Sequence, residues 1–194
     1  SCPGGGLQSS PRIVRDRFHR EARYDAPMIA HAHAHAPAPR RSTEEQARLD
    51  AALADLFERR ITFNQTLGLK VESACAPEPR IRFEMKPELV GHYLYGRLHG
   101  GVISATLDAM GGLALMVAIG EKHADEDTAQ VLHRFAKMST IDLRIDYLRP
   151  GVGTSFVATA AVTRLGGRIG STQMRMLNDQ GTLIATAAAS FVVS

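Results

Sequence analysis

The sequence predicts an α+β domain in which a six-stranded antiparallel sheet wraps around one long central helix. Residues 98–120 are almost wholly apolar, which is the composition of a helix that is covered on all sides. Six other segments alternate apolar and polar residues with the period of a strand, so each has one apolar face to bury. A sheet that curves around the helix satisfies both requirements.

An amphipathic helix is predicted ahead of the sheet, from Ser42 to about Thr66. The run Ser42-Thr43-Glu44-Glu45 has the form of a capping box, in which Ser42 caps the first turn and Glu45 returns a hydrogen bond. Apolar residues then recur at helical spacing, at Leu49, Leu53, Leu56, Phe57 and Ile61.

Turn-forming residues separate the predicted strands. Two strands are predicted within residues 67–72 and 80–86, before the apolar helix, and a polar surface insertion with one short helix is predicted at 121–137. Four strands then close the chain, at 140–147, 154–165, 171–177 and 182–193. The clearest alternation is in the first of these four, where the apolar set is Ile141, Leu143, Ile145 and Tyr147.

The first part of the chain differs in composition from the rest. Residues 1–41 contain three consecutive glycines and a His-Ala repeat without helical or strand periodicity, and we predict a disordered low-complexity tail there. Residues 42–194 are the predicted domain. The imidazoles of His31, His33 and His35 are close enough in sequence to bind a divalent metal weakly, which is the alternative for this tail. No metal or cofactor is expected in the domain.

Charge, cysteine use and hydropathy argue against several classes of protein. The net charge is +3, Trp is absent and no basic run is interleaved with aromatic residues, so nucleic-acid binding is not expected. Cys2 and Cys75 lie in unlike contexts, which favours a reducing cytoplasm over a disulfide framework. Residues 100–120 are long enough to cross a bilayer, but Asp108 near their middle favours a buried core helix over membrane insertion.

The predicted chemistry lies at the start of the central helix. Gly100 and Gly101 let a substrate approach the backbone closely, and the exposed N–H groups of a first helical turn favour developing negative charge. Asp108 lies two turns further on, where burying a carboxylate is costly without a partner or a purpose. We interpret Asp108 as a general base or nucleophile. The structural alternative is a carboxylate hydrogen-bonded to backbone at a dimer contact.

The spacing of these groups predicts a dimer. Gly100 and Asp108 are eight residues apart, which is about 12 Å along a helix. An Asp side chain with one hydrogen bond covers about half of that gap, so both groups of one helix do not easily reach one carbonyl. Two antiparallel helices across a two-fold axis would bring Gly100 of one chain to Asp108 of the other. The open sheet edges also favour a homodimer, or a dimer of such dimers.

The run His99-Gly100-Gly101, with Asp108 nine residues after the His, resembles the helix signature of PaaI-like hotdog thioesterases. Three further segments are similar to that family's third strand and last two hairpins, namely residues 140–151, 166–168 and 179–185. The resemblance extends from about Asn64 to the C-terminus. It implies a hotdog fold and hydrolysis of acyl-CoA thioesters.

The resemblance also implies roles for individual residues. The Gly100 N–H polarises the thioester carbonyl, and Asp108 activates water or attacks directly. Thr140 falls where some relatives carry a Ser that helps to place the water. Gly101 is expected to lie beside the substrate, and His99 to order the loop that leads into the helix. His99 is not expected to be a general base, because nine residues place it half a turn out of phase with Asp108.

Substrate-binding candidates lie outside the helix as well. Tyr93 stands where some relatives have an Asn, and Asn64 is the candidate for the missing amide, with a helix C-cap as its alternative role. Arg149 and Arg168 are candidates for the coenzyme A phosphates, with solvated turn charges as the alternative. The acyl pocket is expected to be lined by the central helix and two strand methionines, Met174 and Met176, with plain core positions as the alternative for the methionines.

Two other functions were weighed against hydrolysis. A hotdog dehydratase or hydratase pairs a His with a carboxylate, and the phase between His99 and Asp108 argues against it. A non-catalytic acyl-CoA sensor does not require a carboxylate at the costly position of Asp108. Hydrolysis of acyl-CoA by a homodimer is therefore the predicted function.

Overall fold

The computed structural model describes residues 40–194 and confirms the predicted α+β architecture. A six-stranded antiparallel sheet curves around one long helix, with shorter helical segments before and after it. Most of the predicted tail, including its His-Ala repeat, lies outside the described residues. The predicted division between tail and domain therefore stays a prediction.

The N-terminal helical segment has three parts, which are α1 (Thr43–Asp55), a π-helical turn (Leu56–Arg60) and α2 (Thr62–Leu67). The prediction of one uninterrupted helix is wrong at Ile61, where the backbone is extended. A side-chain hydrogen bond spans the break, because Asn64 Nδ2 donates to the carbonyl oxygen of Phe57 at 3.1 Å. Phe57 is itself buried, so the interruption is held by the core.

The start of α1 has only half of the predicted capping box. Ser42 Oγ accepts the N–H of Glu45 at 3.1 Å, as predicted. The Glu45 carboxylate does not return to Ser42 and instead accepts the backbone N–H of Thr128 at 2.7 Å. That hydrogen bond is the main reason why the pKa of Glu45 is lowered. A partner distant in sequence has replaced the local one.

The six strands of the main sheet are β1 (Lys70–Ser73), β2 (Arg80–Glu84), β5 (Ser139–Tyr147), β6 (Ser155–Leu165), β7 (Ile169–Asn178) and β8 (Leu183–Val192). Their order is β1-β2-β6-β7-β8-β5, and every pair is antiparallel. All six predicted strands are present. The first begins at Lys70, later than predicted, although Leu67 and Leu69 before it are buried in the core.

A second, two-stranded sheet was not predicted from the sequence. It pairs β3 (Val90–His92) with β4 (Arg97–Leu98). Both strands are too short to show a two-residue period, which explains why the pattern of apolar residues missed them. The hairpin carries an exposed tip of three apolar side chains, Tyr93, Leu94 and Tyr95.

The central helix, α3 (Gly100–Lys122), lies against the inner face of the sheet. Side chains from four strands pack around it, including those of Phe83, Phe156, Met176 and Phe191. Within residues 40–194, α3 is the one helix long and apolar enough to cross a membrane. Of the residues in this apolar stretch of α3, 61% are buried, as in the core helix of a folded domain.

The predicted insertion after α3 contains the short helix α4 (Thr128–Arg134) and a 3₁₀ turn (Phe135–Lys137). It is not purely a surface element, because Val131 and Phe135 are buried. The C-terminus of α3 is capped from the N-terminal segment, since the Arg41 guanidinium donates to the carbonyl oxygens of Gly120 and His123 at 2.8 and 2.7 Å.

One edge of the sheet, strand β5, is covered poorly by the chain's own residues. Leu143 and Ile145 are half-buried, whereas Ile141 and Tyr147 are exposed. A β-bulge between Thr140 and Asp142 adds one residue to β5 relative to β8. The strict alternation predicted for this strand is therefore wrong at its N-terminal end.

Candidate active site

The start of α3 is shaped by His99, which is its N-cap. His99 Nδ1 accepts the N–H of Gly101 at 2.8 Å, so His99 orders the entry into the helix, as predicted. The N–H of Gly100 makes no hydrogen bond within residues 40–194. Tyr147 of β5 approaches from the other side and donates its hydroxyl to the Gly100 carbonyl oxygen at 3.1 Å. A free N–H at a helix N-terminus can donate a hydrogen bond to an oxyanion.

A cavity of about 390 Å³, here called the Gly100 cavity, lies beside this helix start. It is lined by the β3–β4 hairpin, the first turn of α3 and the residues that follow β5. Two guanidinium groups, those of Arg97 and Arg149, are among its lining side chains. Arg149 also donates to the Leu183 carbonyl oxygen at 3.1 Å. Arg97 was not predicted, and its position in an unrecognised short strand explains the omission.

Asp108 lies two turns along α3 and is hydrogen-bonded to Thr140. The Thr140 hydroxyl donates to Asp108 Oδ1 at 2.9 Å. The bulge in β5 makes this contact possible, because it shifts the alternation so that Thr140 faces α3 together with Leu143 and Ile145. The two residues predicted to act together are thus adjacent, and the partner of the carboxylate is a side chain and not the backbone.

The cavity that holds this pair, here called the Asp108 cavity, has a volume of about 280 Å³. Its walls come from the N-terminal helical segment, α3, β5 and β8, and they comprise Phe57, Ile61, Phe63, Asn64, Ala105, Asp108, Ala109, Gly112, Met116, Met138, Ser139, Thr140 and Phe191. Most of these side chains are apolar. The carboxylate therefore stands in a largely hydrophobic recess.

The C-cap of α2 is Gly68, which corrects the alternative assignment of a C-cap role to Asn64. Asn64 is 4% exposed, its side chain holds the Phe57 carbonyl, and its own carbonyl oxygen accepts the N–H of Gly68 at the end of α2. It also lines the Asp108 cavity. The Asn64 amide is thus fixed in place beside the carboxylate.

Two other predicted contacts are placed elsewhere. Arg168 lies in the turn between β6 and β7 and lines neither cavity. Met174 and Met176 are buried in the core and do not line the Asp108 cavity, in agreement with their alternative role as plain core residues. The methionines that do line it are Met116 and Met138. Met116 was detectable, because it follows Asp108 by two helical turns on the same face.

The described part of the chain holds no cluster of three His, Cys, Asp or Glu side chains that could bind a metal ion. The polar groups described above fall into two sets. One cavity supplies an N–H at a helix terminus with nearby cations, and the other supplies a carboxylate oriented by a hydroxyl. The two cavities share no lining residue, so a single chain separates these groups.

Comparison with known proteins identifies the family of this chain. The family model described as "Thioesterase superfamily" matches residues 95–185, which include the His99-Gly100-Gly101 run and Asp108. The medium/long-chain acyl-CoA thioesterase YigI of Salmonella typhimurium is 34% identical over 151 residues, covering 78% of this chain and 96% of the relative. The YigI protein of Escherichia coli K12 is 33% identical over the same shares.

A solved structure is also similar throughout the described domain. It is a Shewanella oneidensis protein related to the thioesterase superfamily, with a TM-score of 0.74 and 34% sequence identity. The match covers 79% of this chain and 100% of that one. Because relatives at this identity are covered almost from end to end, and the sheet wraps a central helix as theirs does, this chain belongs to the hotdog-fold thioesterase superfamily.

Proposed function

We propose that this protein hydrolyses acyl-CoA thioesters to the free acid and coenzyme A, in a site shared between two subunits. The hydrogen bond between Thr140 and Asp108, set in an apolar recess, is the observation that carries the proposal. The names of the relatives support acyl-CoA as the substrate class. The fold and the relatives support a hydrolase over a sensor. His99 caps the helix through its Nδ1 atom, which gives no support to a His-dependent dehydratase.

The proposed reaction uses groups from both cavities. Asp108 takes a proton from a water molecule as the water oxygen attacks the thioester carbon. The negative charge that develops on the carbonyl oxygen is stabilised by the N–H of Gly100 of the partner subunit. The carbon–sulfur bond then breaks, and the departing thiolate takes the proton from Asp108. Thr140 orients the carboxylate or the water, and Arg97 and Arg149 are the proposed contacts for the phosphates.

A direct attack by Asp108 is the second route for the same residues. It would form an acyl anhydride on Asp108 with release of the thiol, and water would then hydrolyse the anhydride. A single turnover in ¹⁸O-labelled water distinguishes the routes. Label recovered in the Asp108 side chain would assign the nucleophilic route with water attacking the aspartyl carbonyl, and thiol release that runs ahead of acid formation would assign it where water attacks the acyl carbon. Label in the product acid, formed in step with the thiol, supports the general-base route.

The separation of the two cavities in one chain supports a shared site. Gly100 and Asp108 lie about 12 Å apart along α3 at the usual helical rise. The exposed edge strand β5, which carries Thr140 and Tyr147, offers the surface for a second copy. The proposed unit is accordingly a homodimer. Within residues 40–194 the exposed thiol of Cys75 forms no disulfide, which fits the proposed cytoplasmic location.

Replacing Asp108 with Asn tests the chemistry. We expect kcat for thiol release from acyl-CoA to fall by about 10²–10⁴-fold, because an amide cannot accept the proton. Asp125→Asn is the matched control, since Asp125 is an exposed carboxylate that lines neither cavity. Thiol release by Asp108→Asn at the rate of the control would overturn the assignment.

Mixed dimers test the shared site. Gly100→Val places a branched side chain beside the N–H that binds the carbonyl oxygen, and it should inactivate the site to which Gly100 contributes. Co-refolding Asp108→Asn with Gly100→Val would rebuild one intact site in each mixed dimer, so activity should rise to roughly a quarter of the wild-type level for random pairing. If each chain held a complete site, no mixture would recover activity.

A further inference from the structure

Two adjacent glycines in α3 have different surroundings. A Cβ atom on Gly111 would lie 2.8 Å from Met174 Sδ and 2.9 Å from the Phe191 ring, so packing against the sheet requires a glycine there. A Cβ atom on Gly112 would meet nothing within 4 Å. A glycine inside a helix destabilises it by about 1 kcal/mol relative to Ala. Packing therefore does not explain why position 112 lacks a side chain.

Gly112 lies on the floor of the Asp108 cavity. Asp108, Gly112 and Met116 are spaced four residues apart, so they form one row along the half-buried face of α3. Because Gly112 has no side chain, nothing projects from this row of α3 at the position one turn beyond the carboxylate. The cavity therefore runs past Gly112 without interruption, from Asp108 at one end to Met116 at the other.

We propose that Gly112 holds open a channel for the acyl chain, and that Gly112 and Met116 set the number of carbons that the channel accepts. The inference rests on the proposed function, because it assigns the acyl group of that substrate to the cavity that contains Asp108. An apolar chain is the occupant that fits walls of this composition, which include Phe57, Ile61, Met138 and Phe191.

The direction of the channel follows from the proposed dimer. The N-terminal end of α3 would face the partner helix and the coenzyme A moiety, since Gly100 of the partner subunit lies beside Asp108 in that arrangement. The acyl chain consequently leaves the carbonyl toward Gly112 and Met116. Phe57 and Ile61 of the N-terminal segment line the same cavity and would cover the chain.

Helix geometry converts this path into carbon atoms. Gly112 lies about 6 Å and Met116 about 12 Å beyond Asp108 along the axis. An extended hydrocarbon advances about 1.25 Å per carbon, from a bond length near 1.5 Å and a tetrahedral angle. A side chain at position 112 is thus expected to stop the acyl group after about five carbons, and a larger one at position 116 after about ten.

The test measures kcat/KM for straight-chain acyl-CoAs from four to sixteen carbons with wild type, Gly112→Leu and Met116→Phe. For Gly112→Leu we expect a near-normal value with the four-carbon substrate and a loss of about fourfold per excluded methylene, or roughly 60-fold at eight carbons. Met116→Phe should leave the eight-carbon substrate within about threefold and show its losses only beyond about ten carbons.

Two further variants control for folding. Gly112→Ala should raise the thermal unfolding midpoint, because the new methyl group meets open space and the helix gains propensity. It should alter the chain-length profile only slightly. Gly167→Leu is the matched substitution outside the cavity, at another glycine with open space around its Cβ position, and should leave the profile unchanged.

The outcomes separate this inference from the proposed function. A wild type that releases no thiol from any acyl-CoA would overturn the proposed function. A wild type that hydrolyses the series, with a Gly112→Leu profile that is unchanged or uniformly lowered at every length, would overturn the role of Gly112 alone. A wild-type kcat/KM that does not rise between four and ten carbons would also overturn the channel.

Discussion

Strands β5 and β7 both alternate apolar and polar residues, yet they differ in how the chain covers them. The inner face of β7 is sealed against α3, and Thr172, Met174 and Met176 are all buried. The inner face of β5 is half-open, because Leu143 and Ile145 are only half-buried, and the neighbouring Ile141 is 54% exposed. The two strands thus share an alternating pattern in the sequence but are buried to different extents in the folded chain.

The difference indicates what β5 is for. An alternating edge strand with exposed apolar side chains is a surface for a second chain. The same strand carries Thr140 and Tyr147, which contact Asp108 and Gly100 respectively. A surface predicted to bind a partner therefore contains two residues that organise the proposed site. Within residues 40–194, no residue of β7 lines either the Gly100 cavity or the Asp108 cavity.

The largest expected effect comes from a charge at the open edge. Ile141→Lys should separate the proposed dimer and reduce kcat/KM by more than about tenfold, because a lysine resists burial in an apolar interface. Ile169→Lys on β7 is the matched control, since Ile169 is 50% exposed. Analytical ultracentrifugation with a thiol-release assay measures both effects. If the two variants had the same mass in solution, the proposed difference between β5 and β7 would be wrong.

A smaller effect is expected from a cavity in the closed strand. Met176 is fully buried, so Met176→Ala should lower the free energy of unfolding by about 2–5 kcal/mol. Ile145→Ala on β5 should cost less at low protein concentration, where the proposed dimer dissociates. Urea denaturation followed by circular dichroism at two concentrations compares them. Equal losses at both concentrations would show that β5 is covered within one chain.

The smallest effect concerns the end of β7 and its response to acid. The Thr154 hydroxyl donates to Asp179 Oδ2 at 2.8 Å and is the main reason why the pKa of Asp179 lies below its ordinary value of 3.8. A carboxyl whose pKa is lowered on folding stabilises the fold at pH values above its unfolded-state pKa. This contribution is lost as the pH falls through its folded-state pKa. The difference in Tm between wild type and Asp179→Asn should therefore shrink below about pH 4. A difference that persists at pH 2 would contradict this.

Much of the fold was predictable because the apolar pattern has a direct physical meaning. Residues 98–120 require cover on all sides, and each of the four C-terminal strands is nine or more residues long, enough for a two-residue period to show. The break at Ile61 was not predictable in this way, since it depends on the Asn64 side chain reaching back to Phe57. The β3–β4 hairpin is likewise too short for any period to be visible.

The candidate site was predictable in its polar members and not in its walls. Asp108 and Gly100 stand out because of their positions in an apolar helix and at its start, whereas Thr140 is an ordinary strand residue that only the family resemblance identified. The apolar lining drawn from the N-terminal segment, such as Phe57 and Ile61, looks like ordinary helix core in the sequence. Only the tertiary packing of that segment over α3 distinguishes a substrate wall from a core contact.

The bulge at Ile141 has a consequence for how this strand can evolve. Deleting that one residue would restore the regular pleat and turn Thr140 away from Asp108, while leaving the composition of the strand nearly the same. A conservative substitution within this strand keeps Thr140 directed at Asp108, whereas a change in the length of the strand does not. An alignment of relatives should accordingly carry its gaps outside residues 139–147, and a gap placed within them would pair non-equivalent positions with Thr140.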